Sequence, residues 1–122
     1  MHEPDFTRKI HKLLSDVHAW KISDPYHRGV PDAWYSGTQR DLWVEYKFKD
    51  PPPKRAFKPD LTEFQRQWLT ARHNDGRNVA VIVGTPKGAQ IFHGLAGLDR
   101  VPPEFPLTHK ELAAYIASYV ND

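Results

Sequence analysis

The chain has 122 residues, no cysteine and a formal net charge of +2. That length suits one domain, residues 1–122, around one hydrophobic core. The missing cysteine excludes disulfides and thiolate metal sites and fits a reducing compartment. No apolar run approaches the roughly 18 residues of a membrane span, and "MHEPDFTRKIHKLL" is charged from its start, without the apolar core of a signal peptide. The expectation is a soluble, intracellular, cytoplasmic protein, phage-encoded chains included. The net charge is too small to announce a nucleic-acid partner, so local clusters must carry that argument.

The spacing of Phe6, Ile10, Leu13, Leu14 and Val17 predicts a helix over residues 4–17, with Pro4 in its first turn. "HAWKIS" reads as a short strand, "DPYHRG" as a loop, and "PDAWYSG" as a second strand running into a turn at Gly37. "DLWVEYKF" is the clearest strand. It puts Leu42, Val44, Tyr46 and Phe48 on one face and Asp41, Trp43, Glu45 and Lys47 on the other. The prolines of "KDPPPKRAFKPD" forbid regular structure and predict an exposed basic loop.

"LTEFQRQWLTARHNDG" reads as a second helix, opened by a Thr62–Gln65 capping box and carrying an apolar stripe of Leu61, Phe64, Trp68 and Leu69. "NVAVIVG" is a continuous apolar run, as for a strand buried on both faces. "AQIFHG" follows the turn "TPKG" as another strand. "THKELAAYIASYV" is a C-terminal helix capped by Thr108 and Glu111. The order α-β-β-β-α-β-β-α predicts an α/β fold, a mixed central sheet flanked by helices.

Charge inside a predicted strand asks for a reason. Glu45 and Lys47 are two apart and leave the strand on one face. Asp32 stands at the start of the preceding predicted strand, and a short hairpin through "SGTQR" lays the two strands side by side. Asp32 and Glu45 then converge, as a hard divalent cation requires. Mg²⁺ takes oxygen ligands and keeps waters for the rest of its shell. Lys47 beside such a centre orients the attacking water and offsets negative charge on a phosphate. The bland alternative is Asp32 as a turn cap and Glu45 with Lys47 as a solvated edge.

The stretches "GVPDAWY", "WVEYKF", "LTEFQRQWL" and "NVAVIVGT", in this order, resemble the PD-(D/E)xK nuclease superfamily, nearest to its VRR-type nuclease domains and Holliday junction resolvases. The resemblance spans roughly residues 3 to 93. The valine-arginine-arginine signature that names the VRR type is not present; "FKDPPPKRAFK" stands after the strand instead.

The resemblance implies a restriction-endonuclease-like αβββαβ core, here with an extra C-terminal helix, Mg²⁺ or Mn²⁺ as cofactor, and cleavage of DNA. It implies Asp32 and Glu45 as metal ligands, Lys47 as the catalytic lysine and Gln65 as a helix residue beside the site. Gln65 then contacts a metal-bound water or a phosphate, or else only caps its helix. The Tyr46 backbone carbonyl is a further candidate ligand, because it lies between Glu45 and Lys47. The family places one more acid on the first helix; Glu3 is favoured here and Asp5 is the alternative.

Lys47, Lys49, Lys54, Arg55 and Lys58 stand against the single acid Asp50, and Phe57 among them is a candidate to stack on or wedge between bases. Lys21, His27 and Arg28 form a second candidate DNA contact. Nothing resembles a base-reading helix, so structure-selective cutting is expected before sequence-specific cutting. The seven histidines show no metal-ligand spacing. They read as surface or satisfied core residues, with His18 and His93 the open cases beside strands.

Tyr115, Ile116, Tyr119 and Val120 pack on the core or, in a homodimer of the resolvase kind, on a second copy. Neither a membrane nor a nucleotide cofactor is expected. The first expectation is a Mg²⁺-dependent DNA endonuclease selective for branched DNA such as a Holliday junction. The alternatives are an exonuclease or nickase, a non-catalytic nucleic-acid-binding module on the same fold, and an interaction protein whose acidic pair is incidental.

Overall fold

A computed structural model describes residues 2–122. The elements run α1 (Glu3–Leu13), β1 (His18–Lys21), β2 (Ala33–Ser36), β3 (Asp41–Phe48), α2 (Glu63–Asn74), β4 (Val79–Gly84), β5 (Ala89–His93) and α3 (His109–Asn121). This is the order expected from the sequence. The strands form one mixed sheet in the spatial order β1-β2-β3-β4-β5. Three pairs are antiparallel and β3–β4 is parallel, so the connection through α2 is the crossover that a parallel neighbour demands.

Strand alternation separates two packed layers. Leu42, Val44 and Tyr46 of β3 join Ala80 and Ile82 of β4 under α1 and α3, where Phe6, Ile10, Leu112, Ile116 and Val120 are buried. Val79, Val81 and Val83 turn to the other face and meet Leu69 of α2 with Leu98 and Val101. The apolar run of β4 is thus buried on both faces. Each of its larger side chains contributes about 1.5–3 kcal/mol relative to exposure. Gly84 ends β4 where the ring of Phe6 crosses it; a Cβ there would lie 2.4 Å from the Phe6 ring.

Several expectations are corrected. The first helix stops at Leu13 instead of reaching Val17: Leu14 is already extended, and Asp16 takes a positive φ of 59°, a conformation that breaks a right-handed helix. Leu14 and Val17 still pack on the core from the connection. Phe64, expected in the apolar stripe of α2, is 47% exposed and carries the Arg28 guanidinium 5.1 Å from its ring centroid.

Phe57, expected to stand free for base stacking, instead stacks on Phe105 at 6.1 Å and pairs through its backbone with Val101. Ile116 and Val120 are buried in the core. Tyr119 stacks on His93 at 4.7 Å and lies under Arg40. Core packing, the first of the two readings for this face, holds for Ile116 and Val120, while Tyr115 stays 37% exposed.

Candidate active site

The hairpin β2–β3 pairs only as far as Ala33 with Val44. Asp32 therefore precedes β2 instead of belonging to it, and its side chain fills the gap that opens beyond Val44. Odd-numbered residues of β3 bond toward β4, as Trp43 N to Asn78 O and Lys49 N to Gly84 O show. Tyr46 must then direct both its N–H and its carbonyl toward β2. Its N–H donates to Asp32 Oδ2 at 2.9 Å, which fixes the carboxylate, and its carbonyl faces the same gap.

Glu45 and Lys47 rise on the α2 face of β3. Glu45 is 2% exposed. Its Oε2 accepts from Gln65 Nε2 at 3.1 Å and lies 3.5 Å from Lys47 Nζ. Lys47 Nζ also donates to Gln65 Oε1 at 3.1 Å. The Gln65 side chain is held in turn by the start of α2. Thr62 N donates to Gln65 Oε1 at 2.9 Å, and Gln65 N donates to Thr62 Oγ1 at 3.1 Å. One amide thus serves the cap of α2 and touches both Glu45 and Lys47.

Burial, first, and the neighbouring Asp32 carboxylate, second, push the Glu45 carboxyl up to about 8, against the opposing pull of Lys47. The Asp32 and Glu45 carboxylates are thus neighbours. Burial, and then Asp32, also raise the pKa of Glu3, which Lys47 opposes. Glu3, on the first turn of α1, lines a small cavity of about 130 Å³ together with Asp32 and Lys21. Asp5 does different work: it accepts from His2 N and from Arg8 at the helix start, and the His2 bond holds its carboxyl below the usual range. The fold thus assembles Glu3, Asp32, Glu45, Lys47 and Gln65 at one place and leaves Asp5 out.

Glu45 Oε1 is buried, and no donor of the described residues points at it. An undonated carboxylate oxygen in a buried site costs free energy unless a proton or a cation reaches it. Two converging carboxylates and a strand carbonyl are hard oxygen donors, so a Mg²⁺- or Mn²⁺-like cation fits. Among the described residues no group of three or more His, Cys, Asp or Glu side chains is placed to hold a metal ion, so a cation here would take at most two side-chain carboxylates and fill the rest of its shell with water.

The basic residues divide. Lys49 pairs with Asp60 at 3.1 Å, and Lys58 lies 3.9 Å from Asp99, so the loop is less basic than a count against Asp50 alone suggests. Lys54 and Arg55 are exposed on it. Lys21 borders the Glu3–Asp32 cavity, and Arg28 sits over Phe64 at the start of α2. His27 is tied to Asp24 at 2.7 Å. His18 packs edge-on against Trp20 and Trp34, and His93 bonds the Tyr115 hydroxyl at 2.6 Å.

Sequence reasoning missed the row of tryptophans on the Glu45 face. Trp20 lies opposite Trp34 and Trp34 opposite Trp43 in the strand register. The periodicity of each strand gave the faces; only the register aligns the rings.

The sequence matches no family model and no curated protein. Among solved structures, that of Hjc from Archaeoglobus fulgidus, a Holliday junction resolvase from an archaeal hyperthermophile, matches with a TM-score of 0.53 at 17% identity. The match covers 93% of this chain and 97% of that one. The fold is resolvase-like. At this identity the likeness concerns the path of the chain, which is the restriction-endonuclease-like α/β arrangement expected from the sequence.

Proposed function

We propose that the protein is a divalent-cation-dependent DNA endonuclease that selects its substrate by structure, branched DNA foremost. The convergence of Asp32 and Glu45 at a buried, undonated oxygen, with Lys47 fastened over them by Gln65, carries the reading. The resolvase-like fold supports it.

Asp32 and Glu45, with the Tyr46 carbonyl, would hold Mg²⁺ or Mn²⁺, and Glu3 stands near as a further acid. When bound, the cation supplies charge neutralisation at the phosphate and acidifies a coordinated water. Asp32 is kept in position by the Tyr46 N–H. Lys47, directed by Gln65 Oε1, presents its ammonium to a phosphate oxygen and orients the attacking water. Lys21 at the end of β1, Arg28 on the loop that follows it, and Lys54 and Arg55 on the loop after β3 flank the site and neutralise the DNA backbone on either side. Lys49 and Lys58 add to this where DNA displaces their exposed carboxylate partners. Paired cuts in a four-way junction require two sites, hence a homodimer.

The test is cleavage of a labelled four-way junction, matched duplex, single strand and closed circular DNA, with Mg²⁺ or Mn²⁺. The wild type is compared with Lys47→Ala and Glu45→Ala. Metal-dependent cutting of branched and circular DNA, lost in both variants, is the expected result. Cutting confined to DNA with ends would replace the endonuclease with an exonuclease. No cutting of any substrate would leave a non-catalytic DNA-binding module.

A further inference from the structure

The α2 face of the sheet is only half covered. α2 lies over β3 and β4, while β1 and β2 carry indoles that no helix among the described residues caps. Trp20, Trp34 and Trp43 stand in one cross-strand row, their ring centroids 6.3 and 6.2 Å apart. Trp68 of α2 closes the row, 5.4 Å from Trp43. The rings meet at angles of 61°, 47° and 61°, edge-on or tilted and not stacked face to face. Trp20 is 60% exposed. Together with Ile22 and Val30, the row of three lines an open apolar cleft of about 580 Å³. Contiguous exposed apolar surface of this kind marks a binding site more often than ordinary surface.

A second cleft, of about 500 Å³, adjoins it. The two share Asp41 and Trp43, and the second is lined by Arg40, Arg72 and Arg77. Asp41 accepts from Ser36 Oγ at 2.6 Å, Arg72 lies 3.4 Å from Asp75, and Arg40 donates to the Tyr119 carbonyl and sits over its ring. Arg77 is exposed. An aromatic trough thus adjoins a cleft lined by three arginines, with Trp43 and Asp41 at the junction. Trp43 is also two residues from Glu45 on the same strand face, a step of roughly 7 Å. Aromatic rings that accept any base, beside a positive groove that follows the backbone, are the complement of a single nucleic-acid strand. A duplex hides its base faces and cannot use the tryptophans.

We propose that this trough holds an unpaired DNA strand, its bases against Trp20, Trp34 and Trp43 and its phosphates against Arg40, Arg72 and Arg77. The preferred substrate then carries a single-stranded segment (a flap, a gap or an open junction arm) next to the cut. The cut itself rests on the nuclease reading; the strand binding does not.

The experiment is therefore done in EDTA, where cutting is suppressed. Tryptophan fluorescence is titrated with a twelve-nucleotide oligo(dT) and with a duplex of the same length, using wild type, Trp20→Ala, Trp20→Phe and Arg77→Gln. Far-ultraviolet circular dichroism checks that each variant is folded. The wild type is expected to bind the single strand the more tightly. Trp20→Ala weakens it about tenfold, and Trp20→Phe recovers most of that. Arg77→Gln lowers the slope of log affinity against log salt by about 0.7.

Equal affinity for strand and duplex, or unchanged binding in folded Trp20→Ala and Arg77→Gln, overturns the proposal. A wild-type dimer in sedimentation that Trp20→Ala dissociates would also overturn it and make the trough an interface between copies. Strand binding as expected, in a chain that cuts no DNA with metal, would sink the nuclease reading and leave this one standing.

Discussion

Gln65 grips Glu45 across the space between α2 and β3, its Nε2 donating to Glu45 Oε2 at 3.1 Å while its Oε1 holds Lys47 Nζ at the same distance. Because the same oxygen also accepts from Thr62 N, the start of a helix and the charged pair of a strand are locked by one amide.

Gln65→Ala should therefore do two things. Loss of the capping box should cost about 1 kcal/mol of stability, read by urea denaturation. Release of Lys47 should lower the cleavage rate by about 10²-fold. Thr62→Ala separates the effects: it should show the stability loss with a rate reduction well under tenfold. Equal rate losses in the two variants would assign the whole effect to the helix start.

Glu45 makes the metal-free protein sensitive to pH. Its carboxyl is raised from 4.5 to about 8 by burial and by Asp32, so the folded chain keeps a proton that the unfolded chain has released. That stabilisation is complete below about pH 4.5 and is lost as pH rises to about 8. The slope is at most about 1.4 kcal/mol per pH unit. Urea midpoints of wild type in EDTA should fall between pH 5 and 8 relative to those of Glu45→Gln. Parallel curves would show that the proton is not held there.

A cation at the same oxygens should displace that proton. Adding Mg²⁺ or Mn²⁺ at about pH 7 to wild type in dilute buffer should release close to one proton per chain, seen with an indicator dye, and should raise the melting temperature. Glu45→Gln should do neither. Stabilisation by metal without proton release would place the ion elsewhere.

Gly29 sets the approach of the Asp32 segment to α2. Its φ is +82°, and a Cβ there would stand 2.2 Å from the Phe64 carbonyl oxygen. Gly29→Ala is expected to cost on the order of 2–3 kcal/mol and, by shifting the segment that ends at Asp32, to lower cleavage as well. A melting temperature within a degree of wild type would show that the loop yields freely.

Much of this architecture is legible in local patterns. The alternation of "DLWVEYKF" assigns Trp43, Glu45 and Lys47 to one face, and the unbroken run of β4 announces a strand buried twice. The Thr62–Gln65 spacing predicts the cap. What is not legible depends on partners far away in the chain. Asp60 and Asp99 take up Lys49 and Lys58 only because the loops fold back. Phe57 has no periodic neighbours to declare it buried, yet Phe105 stacks on it. Asp16 gives no sign in the sequence that it will take a positive φ and end the first helix early.

The sheet order has a consequence for how the protein comes into being. Strands β1, β2 and β3 are consecutive neighbours joined antiparallel, so they can pair while the chain is still emerging during synthesis. Lys47 and Glu45 are then present but unfastened, because Gln65 lies eighteen and twenty residues further on. β4 must also arrive beside β3 before α2 has a surface to settle on. The cluster of Glu45, Lys47 and Gln65 is thus completed only with the second half of the polypeptide.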